Sequence, residues 1–168
     1  MVLLIISFST LAVGFLARPL GGIIFGHFGD RIGRKRTLVV ALMMMGVATT
    51  LIGFLPTYAS IGIAAPLLLV ALRFIQGLAI GGQWGGAMLL VTESAPSDQR
   101  GWYGAYAQAG APMGVILANL AFIGVSSSMS DEAFMDWGWR LPFIASIVLI
   151  GISTVSYTHL RAHETSEY

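Results

Sequence analysis

The chain has 168 residues, of which 56% are hydrophobic and 10% are charged, and its formal net charge is +1. Its mean hydropathy of +0.80 excludes an ordinary soluble domain, whose apolar share is lower. The sequence contains no cysteine, which excludes disulfides, thiolate metal sites and thiol catalysis.

Successive apolar segments along the chain are each candidates for a membrane-spanning helix. A crossing needs about 20 mainly apolar residues, and the candidate segments cover residues 2–26, 37–55, 61–92, 101–125 and 139–154 onward. The predicted fold class is therefore all-α, a polytopic transmembrane bundle with five transmembrane helices. The first segment has no basic stretch and no cleavage site before it, so it is read as structure rather than as a signal peptide.

The Lys and Arg content of the connections predicts how the bundle is oriented. Basic residues lie in two of the connections: Arg31, Arg34, Lys35, Arg36 and Arg100. The connections at residues 56–60 and 126–137 contain no basic residue. We therefore expect residues 27–36 and 93–100 to be cytoplasmic, in a multi-pass protein of the inner or plasma membrane.

Two motifs carry a family resemblance. The stretch GHFGDRIGRKR, residues 26–36, reads as G-x-x-x-D-R-x-G-R-K-R and resembles the signature loop of the major facilitator superfamily. RFIQGLAIGG, residues 73–82, resembles the superfamily's fourth-helix pattern R-x-x-Q-G. GGQWGGAMLLVTESAP and WGWRLPF resemble its metabolite:proton symporter branch, which includes carriers of shikimate, 2-oxoglutarate, citrate and betaine-type osmolytes.

The resemblance implies a partial N-terminal half of a twelve-helix secondary transporter, covering helices two to six. The substrate cavity of such a carrier lies between two halves that rock against each other, so this chain would form part of one wall. Implied partners are membrane lipid, a small polar and anionic metabolite, and the missing helix one and C-terminal half. A proton is the implied coupling ion, with no other cofactor, no metal and no nucleic acid.

Three alternatives to a proton-coupled carrier stay open. The chain could belong to an uncoupled, facilitative carrier, or it could be an inactive helix-packing fragment. A membrane enzyme is the weakest alternative, because the apolar segments hold no nucleophile set of the Ser-His-Asp kind. We therefore expect no enzymatic activity.

Charged residues inside apolar segments are functional candidates, because a charge in the bilayer costs several kcal/mol. We expect Arg73 to supply positive charge to the cavity, for a substrate carboxylate or a coupling acid. The predicted hydrogen-bond partners are amides: Gln76, Gln83, Gln108 and Asn119. The alternative is that Arg73 is a structural cation satisfied by backbone carbonyls. Arg18 either has a snorkelling or packing role or lies on the substrate path.

Gln83 is a departure from the branch pattern, in which GGEWGG is expected. An acid at this position could bind and release a proton, whereas an amide cannot. Proton coupling through Gln83 is therefore in doubt. Either an acid of the missing helix one suffices, or the carrier is uncoupled, or the sequence has an error at this codon.

The resemblance also implies a cytoplasmic network of charges that holds the outward-open state together. Its members in this sequence are Asp30, Arg34, Glu93 and Arg100. The motif residues Gly26, Arg31, Gly33 and Lys35 are assigned to the same gating set. The alternative is a set of solvated charges worth under about 1 kcal/mol each.

Pairs of glycines spaced four residues apart are predicted to let helices pack closely. The pairs are Gly22 with Gly26, Gly77 with Gly81, Gly81 with Gly85, and Gly110 with Gly114.

The end of the chain, VSYTHLRAHETSEY at residues 155–168, resembles a translated sequencing-library adapter. We expect it to be a non-native tail that follows a partial transporter domain over residues 1–154; the alternative is a polar helix end. Under either interpretation His159 and His163 are not predicted to form a metal site.

Overall fold

A computed structural model describes residues 2–165 of the chain, and its regular structure is helical throughout that range. The α-helices are α1 (Val2–Ile32), α2 (Arg34–Gly53), α3 (Tyr58–Ile61), α4 (Ala64–Ser94), α5 (Arg100–Ser127), α6 (Asp131–Asp136) and α7 (Leu141–Thr165). A short 3-10 helix, Gly138–Arg140, separates α6 from α7. The all-α prediction is confirmed.

Four helices within residues 2–165 are long and apolar enough to cross a membrane. They are α1 over Phe8–Ile32, α2, α4 and α5, and they correspond to the first four predicted segments. The fifth predicted segment falls on the start of α7, within the apolar stretch Gly138–Ile152. The predicted tail is described only to Thr165, where it continues α7; residues 166–168 lie outside the described range.

The α1–α4 pair is the centre of the bundle. These two helices make the most extensive contact in the structure, and α2 packs against α4 on one side and α7 on the other. Both α1 and α4 run toward the end of the bundle at which α2 and α5 begin, which we call the charged end. The buried apolar residues are mostly alanines, including Ala17, Ala41, Ala48 and Ala79. Such small side chains allow close helix packing inside a membrane.

Glycine is required at several positions where α4 meets α1, and Gly77 and Gly81 of the predicted pairs are among them. A Cβ on Gly77 would lie 2.8 Å from the Cβ of Ala17, and one on Gly81 would lie 2.8 Å from the carbonyl carbon of Arg18. The predicted Gly77–Gly81 pair therefore does permit a close approach of helices. The other predicted pairs include members at which an added Cβ would meet no atom of the described chain within 4 Å: Gly26, Gly85, Gly110 and Gly114.

The reversal between α1 and α2 is tighter than predicted. The apolar segments were expected to end at residue 26 and resume at residue 37, but α1 continues to Ile32 and α2 begins at Arg34. Only Gly33 separates them, with a φ of +105°, a conformation that favours glycine because it has no Cβ. Residues 27–36 are therefore helix ends joined by a single residue.

α5 lies at the margin of the bundle. It contacts α4 and α7 only sparsely, and Gly104 is its one buried residue within the structure. Large apolar side chains along it, such as Met113 and Leu117, are exposed. This helix therefore contributes little to the packing of the chain and leaves an apolar surface uncovered.

Candidate functional site

A polar cluster lies between α1, α2 and α4, well inside the apolar part of the bundle. We call it the mid-bundle cluster, and it consists of Arg18, Thr49, Arg73 and Gln76. Arg73 is nine residues after Ala64, which places its Cα about 14 Å along α4. The cluster combines two cations with neutral hydrogen-bonding groups, at a depth where polar groups need partners.

A chain of hydrogen bonds orients Arg73. Its Nη1 donates to Oε1 of Gln76 at 3.1 Å, and Nε2 of Gln76 donates to Oγ1 of Thr49 at 2.7 Å. The Thr49 hydroxyl in turn donates to the carbonyl oxygen of Met45 at 2.7 Å. Because a guanidinium can only donate, the amide oxygen of Gln76 must face Arg73 and its NH2 must face Thr49. The α2 backbone thus anchors the guanidinium through a buried amide.

Arg18 approaches the same region from α1. Its guanidinium carbon lies 4.0 Å from the centroid of the Phe15 ring, a distance typical of a cation–π interaction. Its Nε is buried and has no hydrogen-bond partner within the described residues. Because α1 continues to Ile32, Arg18 lies about 21 Å from the charged end. This distance exceeds the length of an arginine side chain, so Arg18 does not reach that end by snorkelling.

Arg18 and Arg73 share a small groove between α1 and α4, which we call the α1–α4 groove. Its volume is about 70 Å³. The lining residues include Gly14, Phe15, Arg18, Arg73, Gln76 and Gly77. The two glycines mark where the backbones of α1 and α4 approach each other, and the two arginines line the groove beside this contact.

Counter-charges for these two cations do not come from the described part of the chain. Arg34 makes ion pairs with Asp30 and Glu93 at the charged end, and the acidic residues of the described chain lie at helix ends and connections. Among the same residues, no three His, Cys, Asp or Glu side chains come together as metal ligands. The α1–α4 groove is therefore electropositive.

The other predicted amides lie apart from Arg73. Gln83 is half-buried on α4, about 10 Å further along the helix than Gln76. Gln108 and Asn119 are exposed on α5, and the Asn119 side chain donates to the Val115 carbonyl of its own helix at 2.8 Å. The structure thus brings Gln76 to Arg73, and it leaves the α5 amides on the uncovered face of that helix.

A second polar cluster joins three helices at the charged end. Arg34, in the first turn of α2, makes a hydrogen-bonded ion pair with Glu93 in the last turn of α4. Arg34 Nη2 also lies 3.9 Å from Oδ1 of Asp30 on α1. The side chains of Arg34, Glu93 and Asp30 are 36%, 56% and 76% exposed. The Arg34–Glu93 pair is thus the closer and less solvated of the two contacts.

The remaining gating candidates surround this ion pair. Gly26, together with Asp30 and Arg34, lines a cavity of about 200 Å³ between α1, α2 and α4, and Gly33 forms the reversal. Arg31 and Lys35 are exposed on either side of it. Arg100, exposed at the start of α5, makes no ion pair within residues 2–165.

Several polar residues that connect helices were not identified from the sequence. Thr49 holds Gln76, and Thr50 lies 3.0 Å from Ser146 of α7 through their hydroxyl oxygens. Arg140 donates to the carbonyl oxygens of Asp136 at 2.8 Å and Leu55 at 3.4 Å. The hydroxyls were a usable signal, because Ser and Thr in apolar segments commonly form hydrogen bonds between helices.

Comparisons with known proteins identify the family and the fold. A family profile described as Major Facilitator Superfamily matches residues 4–167. An inner membrane metabolite transport protein of Escherichia coli (strain K12) is 54% identical, with 95% of this chain and 36% of that protein aligned. The shikimate transporter of the same strain is 54% identical over 86% of this chain and 33% of its own length.

The solved structures give the same fold. The xylose transporter XylE from E. coli, in a partially occluded inward-open conformation, superposes with a TM-score of 0.75 at 20% sequence identity. The alignment covers 91% of this chain and 38% of that structure. The chain therefore spans about a third of the length of the curated relatives it matches, and it forms part of a multi-pass membrane fold.

Proposed function

The chain belongs to the major facilitator superfamily, whose members matched here are transporters and not enzymes, and we propose that it is part of a secondary active transporter for a small polar, anionic metabolite. The longer carrier would move this metabolite between two halves, one of which contains this chain. Relatives named for metabolite and shikimate transport support the substrate class.

The observation that carries the proposal is the orientation of Arg73 inside the bundle. A cation at membrane depth is costly unless an anion or strong acceptors satisfy it. One of its N–H groups is held by Gln76, and the α1–α4 groove next to it offers space for an anionic group. An anionic metabolite would accept hydrogen bonds from the remaining N–H groups of Arg73. The metabolite would bind without first displacing a protein carboxylate from Arg73.

Proton coupling is the finer part of the proposal. Gln83 does not titrate, so the proton would bind an acid that lies outside this chain. A facilitative carrier is the alternative, and it would use the same Arg73 without any titrating partner. The basic residues at the charged end favour a cytoplasmic location for that end. The Arg34–Glu93 pair would then bias the alternation between outward-open and inward-open states.

Uptake of radiolabelled shikimate by the full-length carrier in proteoliposomes tests this function. With a proton-coupled carrier, an acidic exterior drives accumulation above equilibrium. With a facilitative carrier, shikimate only equilibrates. Absence of uptake of both shikimate and 2-oxoglutarate would contradict the anion proposal.

The matched variant for the role of Arg73 is Arg73→Lys, with protein-free liposomes as the background control. Lysine keeps the charge and loses the planar fork that binds a carboxylate through two hydrogen bonds. The proposal expects Arg73→Lys to lower uptake, and unchanged uptake would mean that Arg73 is a structural cation.

A further inference from the structure

We propose that Arg18 is a second anion-binding residue, which together with Arg73 holds one carboxylate group in the α1–α4 groove. The inference rests on the proposed function and adds a specificity-determining residue on another helix. It would make the groove a two-arginine clamp that recognises the charged end of the metabolite.

The first argument is the placement of the two side chains. Arg18 belongs to α1 and Arg73 to α4, yet both line the same groove. The backbones beside them are in close contact, because a Cβ on Gly81 would lie 2.8 Å from the carbonyl carbon of Arg18. The clamp therefore sits on the most tightly packed helix pair of the bundle, where its geometry is fixed.

The second argument is the state of the Arg18 donors. Phe15 covers one face of the guanidinium at 4.0 Å, which restricts the orientation of its plane. The buried Nε lacks a hydrogen-bond partner among the described residues, and a buried unpaired donor on a charged group is expensive. A carboxylate in the groove accepts from such donors with two oxygens, the geometry for which arginine is suited.

The third argument is charge balance. Two cations in one groove repel each other, and this repulsion is stronger in a membrane interior than in water. The acidic residues of the described chain lie at helix ends, so the balancing anion has to come from outside this chain. That anion is a carboxylate either of the transported metabolite or of the rest of the carrier.

The fourth argument is the size of the groove. At about 70 Å³ it is far smaller than the roughly 300–1,000 Å³ of a pocket that encloses a whole ligand. It suits a single carboxylate, with the remainder of the metabolite outside it. The clamp thus recognises charge, while the rest of the carrier recognises the remainder of the molecule.

The test uses the full-length carrier in proteoliposomes, with uptake of shikimate, 2-oxoglutarate and glycine betaine as probes, since each contains a carboxylate. The variants are Arg18→Gln and Arg18→Lys. The matched control is Arg36→Gln, which removes one positive charge at an exposed position near the charged end. KM, the maximal rate and the pH profile are measured for each.

For a metabolite carboxylate, Arg18→Gln raises KM by about 10- to 100-fold, the value of one hydrogen-bonded charge contact. Arg18→Lys gives a smaller rise, and Arg36→Gln gives none. For a carboxylate that belongs to the rest of the carrier, KM stays constant and the pH profile of uptake shifts instead. The first result supports recognition of the metabolite by Arg18. The second supports anion binding by Arg18 but overturns its role in substrate specificity, because the anion then belongs to the carrier.

The result that overturns the inference is an unchanged KM and an unchanged pH profile in a variant that reaches the membrane. Should Arg18→Gln not accumulate, Arg18→Lys alone decides, because lysine retains the stem and the charge but not the fork. Failure of the proposed function is distinct, since it is absence of uptake of both shikimate and 2-oxoglutarate by the wild-type carrier.

Discussion

Gln76 on α4 and Thr49 on α2 share a hydrogen bond of 2.7 Å, and Gln76 is only 8% exposed. This bond determines which way the Gln76 amide faces, because the Thr49 hydroxyl proton is already donated to Met45. The Gln76 oxygen is thereby available to Arg73 alone. A neutral residue thus positions the cation without neutralising it.

Replacement of Gln76 by glutamate is expected to abolish this arrangement while preserving side-chain shape. The new carboxylate would pair with Arg73 and cancel the positive charge that attracts an anion. We expect Gln76→Glu to raise the KM for shikimate in the full-length carrier by about 10-fold or more. Proteoliposome uptake measures this change.

Thr49→Val is the control for that substitution. It is close in shape and removes the anchor of Gln76, but it places no carboxylate beside Arg73. Its effect on KM should be smaller than that of Gln76→Glu. A KM in Gln76→Glu equal to the wild-type value would show that Arg73 does not attract the substrate.

At the charged end, Glu93→Gln is expected to slow transport more than Asp30→Asn does. Glu93 makes the direct ion pair with Arg34, whereas Asp30 is 3.9 Å away and 76% exposed. Both substitutions should lower the uptake rate and leave substrate binding intact, because the network biases a conformational equilibrium. Uptake rates and equilibrium shikimate binding are compared in the same preparations.

A charge exchange provides the control. The double variant Arg34→Glu with Glu93→Arg reverses the pair and should recover part of the rate lost in Glu93→Gln. Added salt should reduce the differences between the variants, since exposed pairs are screened. Equal uptake by the wild type and Glu93→Gln would show that the Arg34–Glu93 ion pair has no gating role.

The bundle itself was largely predictable, because apolar length alone identifies membrane helices. The segment ends were not predictable to the residue, since Gly33 lets two helices meet where the charges suggested a loop. Arg73 and Gln76 were recognisable as a pair from their spacing on one helix. Their link to Thr49 was not, because contacts between helices depend on how α2 and α4 are rotated, which periodicity does not specify.

The α5 residues illustrate the same limit. Gln108 and Asn119 were predicted to be hydrogen-bond partners of Arg73, but the sequence does not determine which neighbour a face of α5 meets. In the structure α5 makes sparse contacts and these amides are exposed. Spacing within a helix therefore predicts which residues share a face, whereas tertiary packing determines which neighbouring helix that face contacts.

The close α1–α4 approach predicts opposite effects for two glycines on one helix. Gly81→Ala should destabilise the full-length carrier by about 1–3 kcal/mol, the usual cost of overpacking, because the new Cβ meets the Arg18 backbone. Gly85→Ala should be neutral or stabilising, since no atom of the described chain lies within 4 Å of its added Cβ and alanine favours helix. Thermal unfolding in detergent compares the two, and an equal melting temperature for them would argue against this packing.

The hydroxyl groups of Thr50 and Ser146 connect α2 to α7, and each hydroxyl also lies close to a carbonyl oxygen of its own helix. The Thr50 hydroxyl lies 2.9 Å from the Gly46 carbonyl oxygen, and that of Ser146 lies 2.5 Å from the Phe143 carbonyl oxygen. Together with the 3.0 Å contact between the hydroxyl oxygens, these are three contacts for only two protons. One helix carbonyl must therefore give up its hydroxyl donor whenever the two helices are joined.

A double-mutant cycle with Thr50→Val and Ser146→Ala measures the net value of this contact. Hydrogen bonds between membrane helices contribute about 0.6 kcal/mol on average and at most about 1.7 kcal/mol. The competing carbonyls should hold the coupling energy in the lower part of that range, since each hydroxyl keeps a partner when the other is removed. Thermal or denaturant unfolding of the full-length carrier gives the four stabilities. A coupling energy near zero would mean that both protons stay on their own helices, and that α2 and α7 are joined by apolar packing alone.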